Sequence, residues 1–189
     1  LVSILIKKYG LDPILPDKSG RLPVHLAISN AQYPMFLWYL DQYPNLIGQL
    51  AADSYSHLHI LADPQLSACN TLQEKHSAPE SAEVELAPLT MEHFRSPDSP
   101  ADMIETAQKL LHRGLMIDLP DASGRTALHH AAAARNYPLL QMLVDHSALI
   151  NIGDSRKWTP LHFAFASEHP SICRYLLDSG ADLKAVECR

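Results

Sequence analysis

A histidine-containing phrase recurs four times along this chain of 189 residues. The four phrases, Leu-Pro-Val-His-Leu-Ala, Ser-His-Leu-His-Ile-Leu, Thr-Ala-Leu-His-His-Ala and Thr-Pro-Leu-His-Phe-Ala, contain His25, His59, His129 and His162. These histidines are separated by 34, 70 and 33 residues, so the middle gap equals one 33-residue unit plus 37 residues. A fixed period of this length predicts a solenoid, in which each unit is one supersecondary element that packs only on its neighbours.

Glycines support the same period independently. Gly10 and Gly20 recur 104 residues later as Gly114 and Gly124, the offset that also separates the first and third motif histidines. Gly180 follows Gly114 by 66 residues, which is twice 33. Five of the seven glycines therefore occupy repeat positions.

Each unit has signals for two helices. In the Thr159-Pro160 pair, threonine can cap a helix and proline is tolerated at the first helical position. Pro34, Pro138 and Pro170 are expected in the first turn of a second helix. Glycine then ends that helix with a left-handed backbone at Gly10, Gly114 and Gly180, whereas Tyr43 and Ser147 stand at the same place in two units. We expect those two helix ends to be strained or differently closed.

Between the helical hairpins lie short turns that we call fingers. Two of them read Asp17-Lys-Ser-Gly20 and Asp121-Ala-Ser-Gly124, with aspartate opening the turn and glycine closing it. A third reads Asp154-Ser-Arg-Lys157, with lysine where glycine is expected. The motif histidine is predicted to donate a hydrogen bond across the finger turn, because a buried imidazole needs a partner.

The phrase, its period and the finger residues together resemble ankyrin repeats. The resemblance implies an all-α fold, a solenoid of helix-turn-helix units with short extended fingers, about four and a half repeats and one long insert. We expect a single domain over residues 1–189, and both ends resemble cuts from something longer. The expected parts are a partial repeat at 1–21, repeats at 22–55, 56–125 (with an insert at 64–100) and 126–158, and a partial repeat at 159–189.

The insert at 64–100 differs in composition from the repeats. It contains five of the fourteen prolines, no glycine, and a net charge of −4 out of the −6 of the whole chain. Such a stretch cannot bury much apolar surface, so a tolerated loop between two helices is the simpler interpretation. A docking or regulatory segment is the alternative, since Ser96-Pro97 and Ser99-Pro100 could accept phosphate. A further alternative is an inhibitor that folds back over the basic fingers.

Composition argues against several classes of function. The net charge of −6 is unfavourable for nucleic acid, whose binding needs a basic face. No apolar run reaches the roughly 18 residues that a membrane span needs, so we expect no membrane partner. The three cysteines, Cys69, Cys173 and Cys188, show no paired spacing, which favours a reducing, intracellular compartment. A monomer is expected.

The sequence contains no arrangement typical of catalysis or of a bound cofactor. His57 and His59 resemble a metal pair, but no cysteine or carboxylate completes a set at zinc-like spacing. There is no glycine-rich phosphate loop and no nucleophile-elbow motif. We therefore predict no enzyme, no cofactor and no metal site.

The resemblance implies protein binding through the fingers and the concave groove of the inner helices. The residue before each motif phrase is Arg21, Tyr55, Arg125 or Trp158, and stacking should place these four in one row, called here the finger-base row. Arginine, tyrosine and tryptophan are enriched among residues that dominate binding energy. Arg156 and Lys157 make one end of the row basic, which would suit an acidic or aromatic-bearing partner segment. The alternative is a merely solvated row, with Trp158 packed on its neighbours.

One inner-helix position is a second candidate. His130 follows its motif histidine, where the other phrases have Leu26, Ile60 and Phe163. The apolar counterparts indicate core packing, and His130 is the exception that we expect to face the groove. The resulting prediction of function is an adaptor or scaffold. The alternative is a targeting or regulatory region of a larger enzyme or effector whose catalytic part lies elsewhere.

Overall fold

A computed structural model describes residues 14–16, 21–51, 54–63 and 100–183. The predicted partial repeat at 1–21 and the insert at 64–100 fall almost entirely outside these ranges. The described part contains eight α-helices and one 3-10 helix, Pro44–Gly48. The α-helices are α1 (Pro23–Ser29), α2 (Tyr33–Gln42), α3 (His57–Ala62), α4 (Pro100–His112), α5 (Ala127–Ala133), α6 (Tyr137–Asp145), α7 (Pro160–Ala166) and α8 (Pro170–Asp178).

The helices form two columns. The short helices α1, α3, α5 and α7 pack in that order to form an inner column, and α2, α4 and α6 pack in order in an outer column. Each inner helix also packs on the outer helix that follows it in the chain. Nothing in the described ranges is a β-strand. The predicted all-α solenoid of helical hairpins is confirmed.

A histidine capping box begins the inner helices. In α5, the backbone N–H of Thr126 donates to His129 Nδ1 at 3.0 Å, and the Thr126 hydroxyl lies 3.0 Å from the same nitrogen. The same backbone bond recurs at the start of α1, α3 and α7, at 2.9 to 3.2 Å. Each motif histidine therefore satisfies an amide at the start of its own helix, the place that glutamate or glutamine takes in the usual capping box.

Small and branched apolar residues fill the space between the columns. Ala131 and Ala132 of α5 are fully buried, and their small side chains allow α7 to approach closely. Leu139, Leu140 and Leu143 of α6 are also fully buried. Burial of a leucine side chain contributes about 2 kcal/mol, so each added hairpin stabilises the stack chiefly through these contacts.

Polar side chains connect the far ends of the inner helices. The Asn136 amide donates to the carbonyls of Leu61 and Ala62, at 3.2 and 3.3 Å, and these carbonyls lie at the end of α3. Arg135 donates to the carbonyl of Ser167 at the end of α7, at 2.6 Å. Helix-terminal carbonyls that lack an intrahelical partner are thus satisfied by a neighbouring repeat.

The outer helices end as the glycine pattern predicts. Gly114 and Gly180 have φ of 90° and 96°, and Ser147 adopts the same left-handed region with φ of 66°. Tyr43 instead has φ of −130°, and the chain continues into the 3-10 helix Pro44–Gly48. Of the two ends expected to be strained or differently closed, the one at Tyr43 is closed differently, and the one at Ser147 keeps the glycine conformation, which is strained for serine.

The insert separates two helices that still pack together. Helix α3 ends at Ala62 and α4 begins at Pro100, one residue inside the predicted insert, and the two helices are in contact. Fingers precede the inner helices, whereas the insert follows one, so the insert joins the stack at the end of the hairpin away from the fingers. The boundaries of the individual repeats stay a prediction.

Candidate functional site

Two of the motif histidines, His59 and His129, connect their repeat to the next finger. His59 Nε2 lies 2.9 Å from the carbonyl oxygen of Arg125, and His129 Nε2 lies 3.1 Å from that of Trp158. Because Nδ1 of each ring accepts a backbone N–H, the proton resides on Nε2, which donates to the carbonyl. Burial lowers the pKa of both imidazoles, consistent with neutral rings. The predicted bond therefore exists, but it reaches the following finger rather than spanning the histidine's own.

In the finger at 121–125, both oxygens of the Asp121 carboxylate accept hydrogen bonds that hold the turn. Asp121 is 6% exposed, and its Oδ1 accepts the backbone N–H groups of Ser123 (2.7 Å) and Arg125 (2.9 Å). Its Oδ2 accepts from Arg125 Nε at 3.1 Å and from His130 Nε2 at 2.9 Å. Burial by itself would raise the pKa of this carboxyl, but the bonds from Arg125, His130 and Ser123 hold it below its usual value.

The predicted groove-facing position of His130 is wrong. The side chain is 3% exposed and lies between the Asp121 carboxylate and the rings of Tyr55 and His59, with centroids 5.7 and 5.3 Å away. Burial lowers the pKa of His130 to about 4, against the opposing effect of the Asp121 hydrogen bond. His130 is thus part of the finger's internal support and presents no surface to a partner. Only the contact with Asp121, nine residues earlier, explains a histidine here, and the sequence alone did not indicate it.

The finger at 154–158 has the same backbone hydrogen bonds to its aspartate but different side chains around the carboxylate. Asp154 is 3% exposed, and its Oδ1 accepts the backbone N–H groups of Arg156 (2.8 Å) and Trp158 (2.9 Å). Its Oδ2 is buried and receives no hydrogen bond from any residue that the structure describes. Its nearest cation is Arg156, with Nε at 3.6 Å. Asp154 Oδ2 lacks these donors because of a sequence difference between the fingers. Trp158 and Phe163 occupy the positions where Arg125 and His130 donate to Asp121 in the preceding finger.

Trp158 is packed on one side and open on the other. Its indole stacks on His162 with ring centroids 5.9 Å apart and planes 16° apart, and it meets Phe163 edge-on at 5.6 Å. The Arg156 guanidinium lies over the indole, 4.9 Å from its centroid. Even so, Trp158 remains 38% exposed. Local packing, the alternative explanation for this residue, accounts for part of its surface only.

The other residues of the finger-base row are less exposed. Arg21, Tyr55 and Arg125 are each partly buried, and the Arg125 side chain is 25% exposed. Lys157 is exposed and holds a left-handed backbone with φ of 67°, at the place that Gly124 takes in the preceding finger. The two finger tips are joined by a backbone bond from Ser155 to Ser123 at 2.9 Å. The finger that carries Arg125 and the finger that carries Arg156, Lys157 and Trp158 are therefore direct neighbours.

A further histidine, His57, is buried between the first two described repeats. His57, at the first position of α3, is fully buried, with its ring 5.2 Å from that of His25 and 5.3 Å from that of Phe36. Burial, with His25 adding to the effect, lowers the pKa of His57 to about 3. The corresponding residues in the other phrases are proline or alanine, so the packing is particular to this repeat.

The structure contains little that could support catalysis in its described ranges. No group of three or more histidine, cysteine or carboxylate side chains there could hold a metal ion. Cys173 is free and buried, and burial raises the pKa of its thiol, which reduces the thiolate needed for nucleophilic attack. None of the helices searched in this part of the chain is long and apolar enough to cross a membrane.

Comparison with known families agrees with the stacked hairpins. Residues 99–187 match the family model for ankyrin repeats, in three copies. Residues 99–187 are ankyrin repeats. The matched range covers α4 to α8, and the α1–α2 hairpin outside it packs in the same way. Ankyrin repeats generally serve as protein-protein interaction modules and are typically non-catalytic. Comparison with curated proteins returns no match.

Proposed function

We propose that this protein is an intracellular adaptor or scaffold, a monomer that binds a partner protein through its fingers and the adjoining concave groove. The proposed binding surface consists of Arg21, Tyr55, Arg125, Arg156, Lys157 and Trp158. The partner is a protein segment with acidic or aromatic side chains. Nucleic acid and membrane are not partners in this proposal.

The observation that carries the proposal is the open face of Trp158. Tryptophan combines a large apolar area with a polar N–H and is enriched where binding energy concentrates. Here its indole is 38% exposed, although His162 and Phe163 pack against it, and Arg156 lies beside it. The nearby carboxylates of Asp121 and Asp154 are buried, so the charged groups that a partner can contact at these fingers are Arg156, Lys157 and the exposed part of Arg125. This favours an acidic partner.

A second candidate is the targeting or regulatory region of a larger enzyme or effector. In that case the same surface would bind a substrate or a regulator, and the catalytic part would lie in another region of the full protein. The two candidates share the binding surface and differ in what is attached to it. The sequence of the full gene distinguishes them.

The experiment is partner capture from cell extract, followed by calorimetry with the captured and purified protein. The test variant replaces Arg125 and Trp158 with alanine. A matched control replaces Met35 and Arg174, which are exposed on the outer helices α2 and α8, with alanine. We expect the test variant to weaken binding by about tenfold or more, as loss of a central aromatic residue does, and the control to bind as the native chain does.

Thermal unfolding of each variant separates binding from folding. Trp158 also packs on His162, so the test variant is compared only if it unfolds cooperatively and is folded at the assay temperature. Unchanged affinity in a folded test variant would disprove this surface as the binding site. A single Tyr55→Ala variant then shows whether binding extends toward the first repeats.

A further inference from the structure

The two fingers use their arginine side chains differently. In the finger at 121–125, Arg125 Nε donates to Asp121 at 3.1 Å, and the Arg125 side chain is 25% exposed. In the finger at 154–158, Arg156 Nε is 3.6 Å from Asp154, which is too far for a hydrogen bond, and the side chain is 64% exposed. Arg125 is therefore hydrogen-bonded within its own finger, whereas the Arg156 side chain is not.

Within the described ranges, the N–H donors of the Arg156 guanidinium consequently make no hydrogen bond. The backbone N–H of Arg156, in contrast, is fixed by Asp154 Oδ1 at 2.8 Å. Asp154 Oδ2, the acceptor that could have closed the pair, is buried and accepts no hydrogen bond from the residues that the structure describes. The ion pair is therefore held by charge alone, and an acceptor of better geometry can compete for the guanidinium.

Trp158 restricts where the guanidinium can go. The guanidinium lies 4.9 Å from the indole centroid, at a distance typical of a cation–π contact. The indole is in turn stacked on His162, and the Trp158 backbone N–H is bound by Asp154 at 2.9 Å. A guanidinium supported in this way loses less conformational freedom on binding, which favours a planar, bidentate contact with a carboxylate.

We propose that Arg156, supported by Trp158 and only loosely paired with Asp154, is the principal carboxylate-binding group of this surface. It would grip an aspartate or glutamate side chain of a partner protein. Arg125, although it stands in the finger-base row, would contribute little, because its guanidinium is already engaged. This inference rests on the proposed function, since it assigns the chemistry of one part of that surface. Asp154 acts as an internal competitor for the guanidinium.

Defined peptides test the inference without knowledge of the natural partner. The probe is an acetylated and amidated peptide of sequence Gly-Glu-Glu-Gly-Glu-Glu-Gly, with its glutamine counterpart as control. Nuclear magnetic resonance follows the side-chain N–H signals of Arg156, Arg125 and Trp158 during titration. We expect saturable shifts at Arg156 and Trp158 with the glutamate peptide only, and smaller shifts at Arg125.

Three single variants give results of different sign. Arg156→Lys keeps the charge but not the planar fork, and we expect it to weaken glutamate-peptide binding by about fivefold or more. Arg174→Lys, the matched control, changes an exposed arginine of α8 that lies outside the proposed surface, and it should change affinity by less than about twofold. Asp154→Asn keeps the Oδ1 acceptor that holds the turn and removes the competing charge, so it should strengthen binding by about twofold to fivefold.

The outcomes are separable from those of the proposed function. Absence of saturable binding to the glutamate peptide, or equal effects of the two lysine variants, would overturn the inference. Weaker binding by Asp154→Asn would indicate instead that the carboxylate itself receives a partner's cation. If Arg156→Lys binds the captured partner as the native chain does while Trp158→Ala does not, the inference fails and the proposed surface stands.

Discussion

The imidazole of His129 donates to the backbone carbonyl of Trp158, 29 residues later in the chain, at 3.1 Å. Its other nitrogen accepts the N–H of Thr126 at 3.0 Å. One side chain thus begins a helix in its own repeat and fixes a finger in the next. His59 makes the equivalent pair of bonds to Ser56 and Arg125.

Replacing His129 with alanine should destabilise the fold strongly. The change leaves a buried N–H and a carbonyl without their partner and removes a fully buried ring, which together cost about 2 to 4 kcal/mol of unfolding free energy. Urea denaturation at neutral pH measures the loss. His146→Ala is the control, because His146 is exposed and bonds only to the Met142 carbonyl of its own helix. Similar losses in both variants would contradict the structural role of His129.

Stability should fall in mild acid. Burial lowers the pKa of His57 to about 3 and of His130 to about 4, and it lowers the pKa of His59 and His129 as well. The unfolded chain binds protons near pH 6.5, whereas the folded chain does not, so stability is complete above that pH and is lost as the pH decreases toward 4. Each histidine contributes up to about 1.4 kcal/mol per pH unit in this window. Urea denaturation at a series of pH values measures the slope.

His57→Ala tests the contribution of one histidine. Alanine is compatible with this position, since Ala127 occupies it in α5. The unfolding free energy of the variant should depend less steeply on pH between about pH 6 and 5, by close to one proton, whatever its stability at neutral pH. Parallel curves for the variant and the native chain would show that His57 is protonated in the folded state.

The two finger aspartates should differ in their effect on stability. Asp121→Asn places an amide N–H₂ or a single carbonyl opposite donors from Arg125 and His130, and we expect a loss of about 2 kcal/mol. Asp154→Asn affects an oxygen that accepts no hydrogen bond from the described residues, so the loss should stay below about 1 kcal/mol. Thermal and urea unfolding of the two variants give the comparison. A larger loss for Asp154→Asn would contradict the assigned hydrogen bonds.

Replacing Lys157 with glycine should stabilise the protein. Lysine at φ of 67° carries strain that glycine does not, and relief of that strain is worth about 1 kcal/mol. Ser147→Gly is the control, because Ser147 is exposed with φ of 66° and follows α6, outside the proposed binding surface. Equal stabilisation of both variants is expected in urea denaturation, with binding to an acidic partner weakened in Lys157→Gly only. No stabilisation in either variant would show that these residues are unstrained.

Much of the fold follows from the sequence because one structural unit is repeated. The phrase around His129 and His162 is enough to place the helix starts, and Gly114 and Gly180 place helix ends. These features depend on local backbone chemistry, and such signals are readable in a short window of sequence. The family match covers the part where they are clearest.

The candidate site was less accessible to prediction, because it depends on contacts between repeats. His130 was expected to face the groove, but the Asp121 carboxylate is within reach only once the finger folds back over α5. The residues four and nine positions after each aspartate decide which side chains bind it. They are Arg125 and His130 after Asp121, which donate to its carboxylate, and Trp158 and Phe163 after Asp154, which do not. Arg156 is therefore only loosely paired with Asp154. Aligning the two fingers position by position would have indicated the difference, whereas the degree of burial required coordinates.

The direction of the histidine bonds has a consequence for how such a surface can evolve. His59 and His129 each donate a hydrogen bond to the finger that follows in the chain, so the orientation of that finger depends on a residue of the preceding repeat. The finger that carries Arg156 and Trp158 is held in place by the imidazole of His129, which is fully buried and cannot contact a partner. Substitutions in the hidden interior could therefore retune recognition while leaving every contacting side chain the same.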